Sequence, residues 1–313
     1  PDWTWIKSRN FGESHRIFDA VRGASNHISS NANVAQSSSY PLTSFDSDGF
    51  TIGSSDGSVN GNYNYASWNW KANGQGSSNT TGSINTTYTS ANTTSGFSII
   101  KYNGNGTGGA TIGHGLGAAP KLVIIKRTDT SSNWIVGHAS QGFTKFNYFN
   151  TTDGVVTNAG AFNNTAPSST VITLGTWNDV NNSSGTYIAY AFLDIRGYSK
   201  IGSYYGNGNA DGQFVYLGFK PRYIVIKYPT SNGYDWKIYD SARDSYNGLD
   251  TNLEANTSDT EPGESNMQID YLSNGFKMRN TNSNYNEYDY EYLFWAFAEA
   301  PLVGSNNTPN TAR

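Results

Sequence analysis

The chain contains no cysteine, which excludes a disulfide framework, a thiol nucleophile and any cysteine-ligated zinc site. It is also poor in charge. Asp, Glu, Lys and Arg make up 14% of the 313 residues, against roughly 25% in an average globular domain. A formal net charge of −4 without a basic block argues against a nucleic-acid binder that works by neutralising phosphates. No apolar run approaches the roughly 18 residues of a membrane-spanning helix. What the chain does have is 34 glycines, 38 asparagines and 14% aromatic residues. Intrinsic disorder requires few aromatics and high net charge, so this composition points to many short strands joined by polar turns. The chain opens directly into an apolar strand at Pro1-Asp2-Trp3, without an initiator Met or a signal-peptide pattern. The expectation is that further material precedes residue 1.

Internal repetition is the strongest signal. Pro1-Asp2-Trp3-Thr4-Trp5-Ile6-Lys7 matches Pro120-Lys121-Leu122-Val123-Ile124-Ile125-Lys126 and Pro221-Arg222-Tyr223-Ile224-Val225-Ile226-Lys227. Downstream, His15–Asp19 matches Trp134–His138 and Trp236–Asp240, and Asp48–Ile52 matches Asn274–Met278. Each copy closes on an aromatic strand: Ala66–Trp70, Ile188–Phe192 and Leu293–Phe297. The second and third copies share an opening segment, Phe97–Gly106 and Tyr198–Gly208, followed by a short second strand. The first copy has neither piece, so its opening hairpin is expected upstream of Pro1.

Local signals are β throughout. Runs rich in Val, Ile, Tyr, Trp and Thr are bounded by Gly/Asn/Ser clusters. Asn103-Gly104, Asn105-Gly106 and Asn207-Gly208 supply the positive-φ residues of tight turns. The closing strands alternate with period 2. Trp68 and Trp70, Tyr190 and Phe192, and Trp295 and Phe297 occupy the bulky faces, which are expected to form the sandwich cores. The small faces, such as Ala189 and Ala191, leave room for another layer. Leu122–Ile125 and Tyr223–Ile226 are apolar on both faces, so a neighbouring repeat or subunit is expected to cover the second face, the alternative being a central strand covered by its own loops.

Candidate chemistry is sparse. His15, His27, His114 and His138 form no ligand-type pair, and packing roles are expected for them. Asp46-Ser47-Asp48-Gly49 resembles half of a calcium loop but lacks the downstream bidentate Glu, so a turn is the simpler reading. Glu287, Asp289 and Glu291 read as one strand face that suits either a glycosidase carboxylate set or a solvated edge. No Gly-x-Ser-x-Gly elbow or phosphate-binding loop is present. No catalytic residue, metal or cofactor is assigned. Exposed aromatics with amides nearby suit sugar binding, and Tyr204, Tyr205, Tyr285, Tyr288 and Tyr290 are the candidates near predicted turns or strand ends.

Several motifs together resemble a repeat family of tailed-phage virion proteins, associated with phages of marine bacteria and cyanobacteria. They are the Pro-initiated Ile-Lys strands, Phe18-Asp19-Ala20-Val21-Arg22-Gly23, Tyr239-Asp240-Ser241-Ala242-Arg243-Asp244, Asp48-Gly49-Phe50, Ser199–Tyr204 and Phe297-Ala298-Glu299-Ala300-Pro301. The resemblance spans nearly the whole chain. It implies a tail-fibre-like or structural role, and a hairpin ahead of the Pro-Asp-x-x-Trp-Ile-Lys strand. A second likeness, to trimeric H-type lectin β-sandwiches, implies that the three repeats form a single-chain pseudo-trimer.

The expected fold is therefore all-β, with three tandem antiparallel β-sandwich repeats. The first covers 1–74, a Ser/Thr/Asn/Gly-rich linker covers 75–95, the second repeat covers 96–197, the third covers 198–303, and 304–313 form a polar tail. The expected function is a non-enzymatic tail-fibre or surface-decoration protein on the virion exterior. It would assemble as a homo-oligomer, a trimer for a fibre, with other virion proteins and with host-surface glycan as partners, and without nucleic acid or membrane. The alternatives are a purely structural fibre or collar block and a polysaccharide depolymerase.

Overall fold

The computed structural model describes residues 1–38, 41–53, 56–262, 267–299, 302–303 and 309–310. The all-β expectation holds: short antiparallel strands dominate, with two single-turn helices. The chain divides into two compact units. Unit 1 comprises Pro1–Thr151, Val155–Leu193 and Asn256–Thr260, and unit 2 comprises Thr152–Gly154, Asp194–Ala255 and Glu261–Arg313.

Unit 1 holds the first two repeats. The first supplies β1 (Trp3–Ser8), β2 (Arg16–Asp19), β3 (His27–Ile28), β4 (Leu42–Phe45), β5 (Phe50–Ile52) and β6 (Tyr65–Trp70). They form a sheet of order β3-β2-β1-β6 and a β4-β5 ladder. The next strands are β7 (Tyr88–Asn92), β8 (Phe97–Asn103), β9 (Thr111–Gly113), β10 (Leu122–Arg127), β11 (Trp134–His138), β12 (Lys145–Tyr148) and β13 (Val156–Thr157). Helix α1 (Ala159–Phe162), β14 (Val171–Thr173), helix α2 (Asn178–Asn181) and β15 (Thr186–Phe192) complete the second repeat. Its sheets run β13-β12-β11-β10-β15-β8-β7 and β14-β9.

Unit 2 holds the third repeat: β16 (Ser199–Tyr205), β17 (Phe214–Tyr216), β18 (Pro221–Lys227), β19 (Lys237–Asp240), β20 (Leu253–Glu254), β21 (Ile269–Leu272), β22 (Gly275–Met278) and β23 (Glu291–Ala298). Its sheets run β16-β23-β18-β19-β20 and β17-β22-β21. A last ladder pairs β24 (Leu302–Val303) with β25 (Pro309–Asn310). The rest of the expected 304–313 tail lies outside the described residues.

The stretch expected as a linker is instead part of a sheet. β7 pairs along β8 from Tyr88↔Lys101 to Asn92↔Phe97, and Ile84 bridges Ile112. An edge strand keeps one side in water, so a polar sequence can serve there, and it shields the apolar β8 edge.

The closing strands also depart from expectation. Their bulky side chains are buried, with Trp68, the most exposed of the six, at 7%. However, they face away from their own sandwich. In the first repeat, Trp3↔Trp70 and Trp5↔Trp68 set four indoles on the face opposite the core of Ile6, Phe18, Leu42 and Val59. That indole face meets the second repeat. The Trp3 ring lies 5.1 Å from Tyr190, 5.7 Å from Phe97 and 6.2 Å from Phe192. In the third repeat the sandwich core contains Tyr292, Phe294 and Ala296, and the alternate residues Leu293, Trp295 and Phe297 lie on the other face, with Trp295 5.5 Å from Trp236.

Space explains the inversion in the second repeat. A Cβ on Gly137 would stand 2.6 Å from the Phe143 and Phe162 rings, so the sandwich interior here is already filled by rings from the β11–β12 turn and from α1. Small residues such as Ala189 and Ala191 suit that side, and large ones must go outward.

A buried ionic cluster crosses the indole face. Asp19 accepts hydrogen bonds from Arg22 Nε (2.6 Å), the Arg22 backbone N–H (2.7 Å) and Tyr190 Oη (2.7 Å). Arg22 also donates to Ile17 O at 3.0 Å. The third repeat copies the clamp: Arg243 donates to Asp240 and to Ile238 O, the latter at 2.9 Å, and pairs with Glu261. The lysine ending each Pro-initiated strand, Lys7, Lys126 or Lys227, is fully buried on this same outward face. Lys7 and Lys126 donate to the carbonyls of Ser8 and Arg127, each at 2.6 Å, and Lys227 donates to Tyr234 O. Burial pulls the Lys126 and Lys227 ammonium groups down to about 8.

Two outcomes follow from the buried charges. Arg22→Met leaves the Asp19 carboxylate buried without its cation and is expected to lower stability by about 3–5 kcal/mol, read by urea unfolding; a loss under about 1 kcal/mol refutes the clamp. Between pH 8 and 10 the folded chain has released the Lys126 and Lys227 protons while the unfolded chain still holds them. Stability therefore rises with pH there, by at most about 1.4 kcal/mol per pH unit for each lysine. Above about pH 10 it falls, because buried phenols such as Tyr102 and Tyr190, whose pKa values burial raises, stay protonated only in the folded state. A urea midpoint that does not rise from pH 7.5 to 9.5, or that rises equally in Lys126→Met, contradicts this assignment.

Candidate functional site

The third repeat leaves a cleft along one edge of its sandwich. β16 ends one sheet and β17 ends the other. Between them lies a cleft of about 420 Å³, lined by Lys200, Ser203, Tyr205, Gln213, Phe214 and Tyr216 and reaching Phe294. Strand alternation aims the rings: Val215 points into the core, while its neighbours Phe214 and Tyr216 project. Phe214, Tyr205 and Tyr216 are 38%, 56% and 65% exposed. A Cβ on Gly202 would stand 3.0 Å from the Phe294 ring, so the glycine keeps the cleft open down to that ring. Lys200 is paired with Asp194 at 3.2 Å, which balances its charge. The site therefore offers aromatic faces flanked by a hydroxyl, an amide and a neutralised ammonium. That combination suits a polyhydroxylated ligand with one apolar face better than it suits an ion.

The second repeat shows how the same place looks when filled. Val215 opposes Phe276 as Ile112 opposes Ile172, so Gly113 takes the position of Tyr216. A Cβ on Gly113 would stand 2.2 Å from the Asn79 carboxamide oxygen; the segment leading into β7 packs onto that glycine. β7 itself covers the edge of β8, the counterpart of β16. One repeat closes its cleft with its own polypeptide, and the other presents rings to solvent.

Of the five tyrosines expected to bind glycan, the structure removes two. Tyr204 is 6% exposed, donates to Tyr285 O at 2.7 Å and stacks on Tyr292 at 5.2 Å. Tyr285 is fully buried and packs 5.8 Å from Tyr239. Both belong to the hydrophobic core, and Tyr204 has its counterpart in Tyr102, which stacks on Tyr187 at 5.1 Å and donates to Val180 O at 2.7 Å. Tyr288 and Tyr290 are 75% and 43% exposed, but they sit in the loop before β23 and do not line the cleft; Tyr290 stacks on Tyr228 at 5.1 Å. Tyr205 lines the cleft as an exposed ring, whereas Tyr204, also at its wall, is buried in the core. Gln213, Phe214 and Tyr216 were not anticipated. Their signal was the contrast between Phe214-Val215-Tyr216 and the aligned Thr111-Ile112-Gly113, which trades a small strand for an aromatic one.

The remaining candidates resolve into packing and turns. All four histidines are buried apart from one another; His15 Nδ1 accepts from Trp5 Nε1 at 2.8 Å, and His114 Nδ1 from the Leu116 N–H at 3.1 Å. Asp46 accepts from Ser44 Oγ and Thr51 Oγ1 at 2.8 and 2.7 Å, which closes the β4–β5 turn. Glu287, Asp289 and Glu291 do not share a strand face: the first two lie in the loop, with Asp289 at φ 63°, and Glu291 alone begins β23. Among the described residues no three His, Asp or Glu side chains gather into a metal-binding group.

The family described as "Domain of unknown function (DUF7483)" matches residues 1–301. No curated protein and no solved structure matches the chain.

The two classes of tyrosine separate experimentally. Tyr216→Ala is expected to change stability by less than about 0.5 kcal/mol, as an exposed ring. Tyr204→Phe, which strips the hydrogen bond from the buried Tyr285 carbonyl, is expected to lower stability by about 1–1.5 kcal/mol. Equal effects in thermal unfolding would show that the core and cleft assignments are mistaken.

Proposed function

We propose that this chain, which belongs to the family of the domain of unknown function DUF7483, is a non-enzymatic structural and adhesion component of a tailed-phage virion surface. In this reading it holds host-surface glycan in the Tyr205–Phe214–Tyr216 cleft. The observation that carries the glycan assignment is the convergence of three exposed rings on an open cleft with a neutral polar rim. The virion assignment is supported by the repeat motifs and the resemblance they bear.

A single shallow site of this kind binds weakly. Self-assembly into a trimer would repeat the site, and tethering raises the effective concentration of each further contact.

A second reading, a fibre or collar block that recognises no ligand, is favoured by one feature. In the second repeat the equivalent edge is taken by the extended strand β7, so a neighbouring subunit's strand could take the β16 edge in an assembly.

A glycan array probed with the multivalent protein distinguishes the two. The adhesion reading expects binding to a defined set of host-type glycans, reduced at least about tenfold by Tyr205→Ala or Tyr216→Ala through loss of stacking. No binding by the multivalent form, or binding indifferent to both substitutions, removes the glycan role and leaves the structural one.

A further inference from the structure

Among the described residues the first repeat shows no counterpart of the opening hairpin that both its siblings have, and the surfaces that would contact it are in place. In the second and third repeats, the closing strand lies between the Pro-initiated strand and an opening strand: β15 between β10 and β8, and β23 between β18 and β16. In the first repeat β6 pairs with β1 and ends its sheet among the described residues. The face of β6 turned toward the repeat's own sandwich carries Ser67 and Asn69, both exposed; the equivalent Ala189 and Ala191 are fully buried.

A buried asparagine grips the opening hairpin in each sibling. Asn181 Oδ1 accepts from the Asn105 N–H at 2.9 Å, and its Nδ2 donates to Thr107 O and Gly175 O, each at 2.9 Å. Asn286 does the same for the Asn207 N–H (2.9 Å), Asn209 O (2.8 Å) and Asn280 O (2.7 Å). The counterpart in the first repeat is Asn60. Its backbone N–H bonds Asp56 O as those of Asn181 and Asn286 bond Trp177 O and Asn282 O. The next N–H, of Gly61, bonds the Tyr65 hydroxyl at 2.7 Å, as those of Asn182 and Glu287 bond Tyr187 and Tyr292. Asn60 Nδ2 keeps the inner bond, to Gly53 O at 3.0 Å. Yet Asn60 is exposed, and among the described residues its Oδ1 accepts nothing. Tyr65 likewise holds its hydroxyl bonds, but among the described residues it has no stacked tyrosine of the Tyr102 or Tyr204 kind.

We propose that the first repeat is an acceptor for a β-hairpin of the repeat's own type, added antiparallel along β6 and locked by Asn60. The partner is defined by what the sibling hairpins share, Ile-x-x-Tyr-x-Gly-Asn-Gly at Ile99–Gly106 and Ile201–Gly208. The isoleucine continues the aromatic layer in which Phe97 already stands 5.7 Å from Trp3. The tyrosine stacks on Tyr65. The first glycine is required because a Cβ on Gly104 or Gly206 would meet the loop carbonyls of Asn182 or Glu287 at 2.4 and 2.2 Å. The asparagine N–H fills Asn60 Oδ1. The partner hairpin is one other than the two described in this chain, which are tied into their own repeats.

The test adds a labelled synthetic peptide with the sequence of residues 96–114 to the full chain and follows fluorescence anisotropy and the Asn60 side-chain amide by NMR. One-to-one saturable binding with a shifted Asn60 amide is expected. Asn60→Ala should weaken it about tenfold, while its loss of the bond to Gly53 O lowers the stability of the peptide-free chain by no more than about 1 kcal/mol. A peptide carrying Gly104→Val should not bind. Absence of saturable binding, equal binding of the Gly104→Val peptide, or hydrogen-exchange protection of both edges of β6 before any peptide is added would overturn the proposal. So would dimerisation of the peptide-free chain that Ser67→Pro abolishes, since that assigns the edge to a second copy.

Discussion

The structure depends on sheets that are covered on both faces. In each repeat the closing strand turns large residues to the outer face: Trp68 and Trp70, Tyr190 and Phe192, Trp295 and Phe297. That face cannot stay wet: burying one such side chain is worth roughly 1.5–3 kcal/mol, and Trp3, Trp5, Trp68 and Trp70 share it in the first repeat alone. Packing the first repeat onto the second removes this surface from water and seals in Asp19, Arg22 and Tyr190. Without cysteine, unit 1 is held by this third layer, built from rings.

Asparagine takes the part that charged residues play in many loops. Asn181 and Asn286 each satisfy a backbone donor and two backbone carbonyls with one neutral side chain. A buried carboxylate could accept but not donate, and it would carry a desolvation penalty. The abundance of Asn therefore reflects loop architecture first. The cleft of the third repeat lies beside one of these amide-locked turns, which fixes β16 and β17 at the separation that leaves the cleft open.

Much of this was legible in the residues and some was not. The repeated Pro-initiated strand and aromatic closing strand gave the β class and the three modules, because period-2 alternation and turn glycines are local signals. Which face of Tyr190 or Trp295 looks inward was not legible: alternation separates two faces but does not say which is the interior, and that was decided by Phe143 and Phe162 reaching across to Gly137. The stretch 75–95 read as a linker because its polar composition hides β pairing that depends on the exposed β8 edge. Tyr204 and Tyr205 are adjacent in sequence and opposite in role, and only the register Tyr204↔Tyr292 places the first in the core. Asn60 was invisible as a functional residue until its two buried counterparts could be superposed on it by their hydrogen bonds.

The placement of β7 has a temporal consequence during synthesis. Phe97 of β8 finds its ladder partner in Phe192, which a ribosome working at about 5–20 residues per second delivers roughly 5–20 s later. Through that interval an unaccompanied β8 would expose two sticky apolar edges to every other nascent chain nearby. β7 emerges just ahead of it and can fold back on it at once as a local hairpin. The stretch that looks like filler thus blunts one of those two edges early, and leaves a single edge to wait for β15.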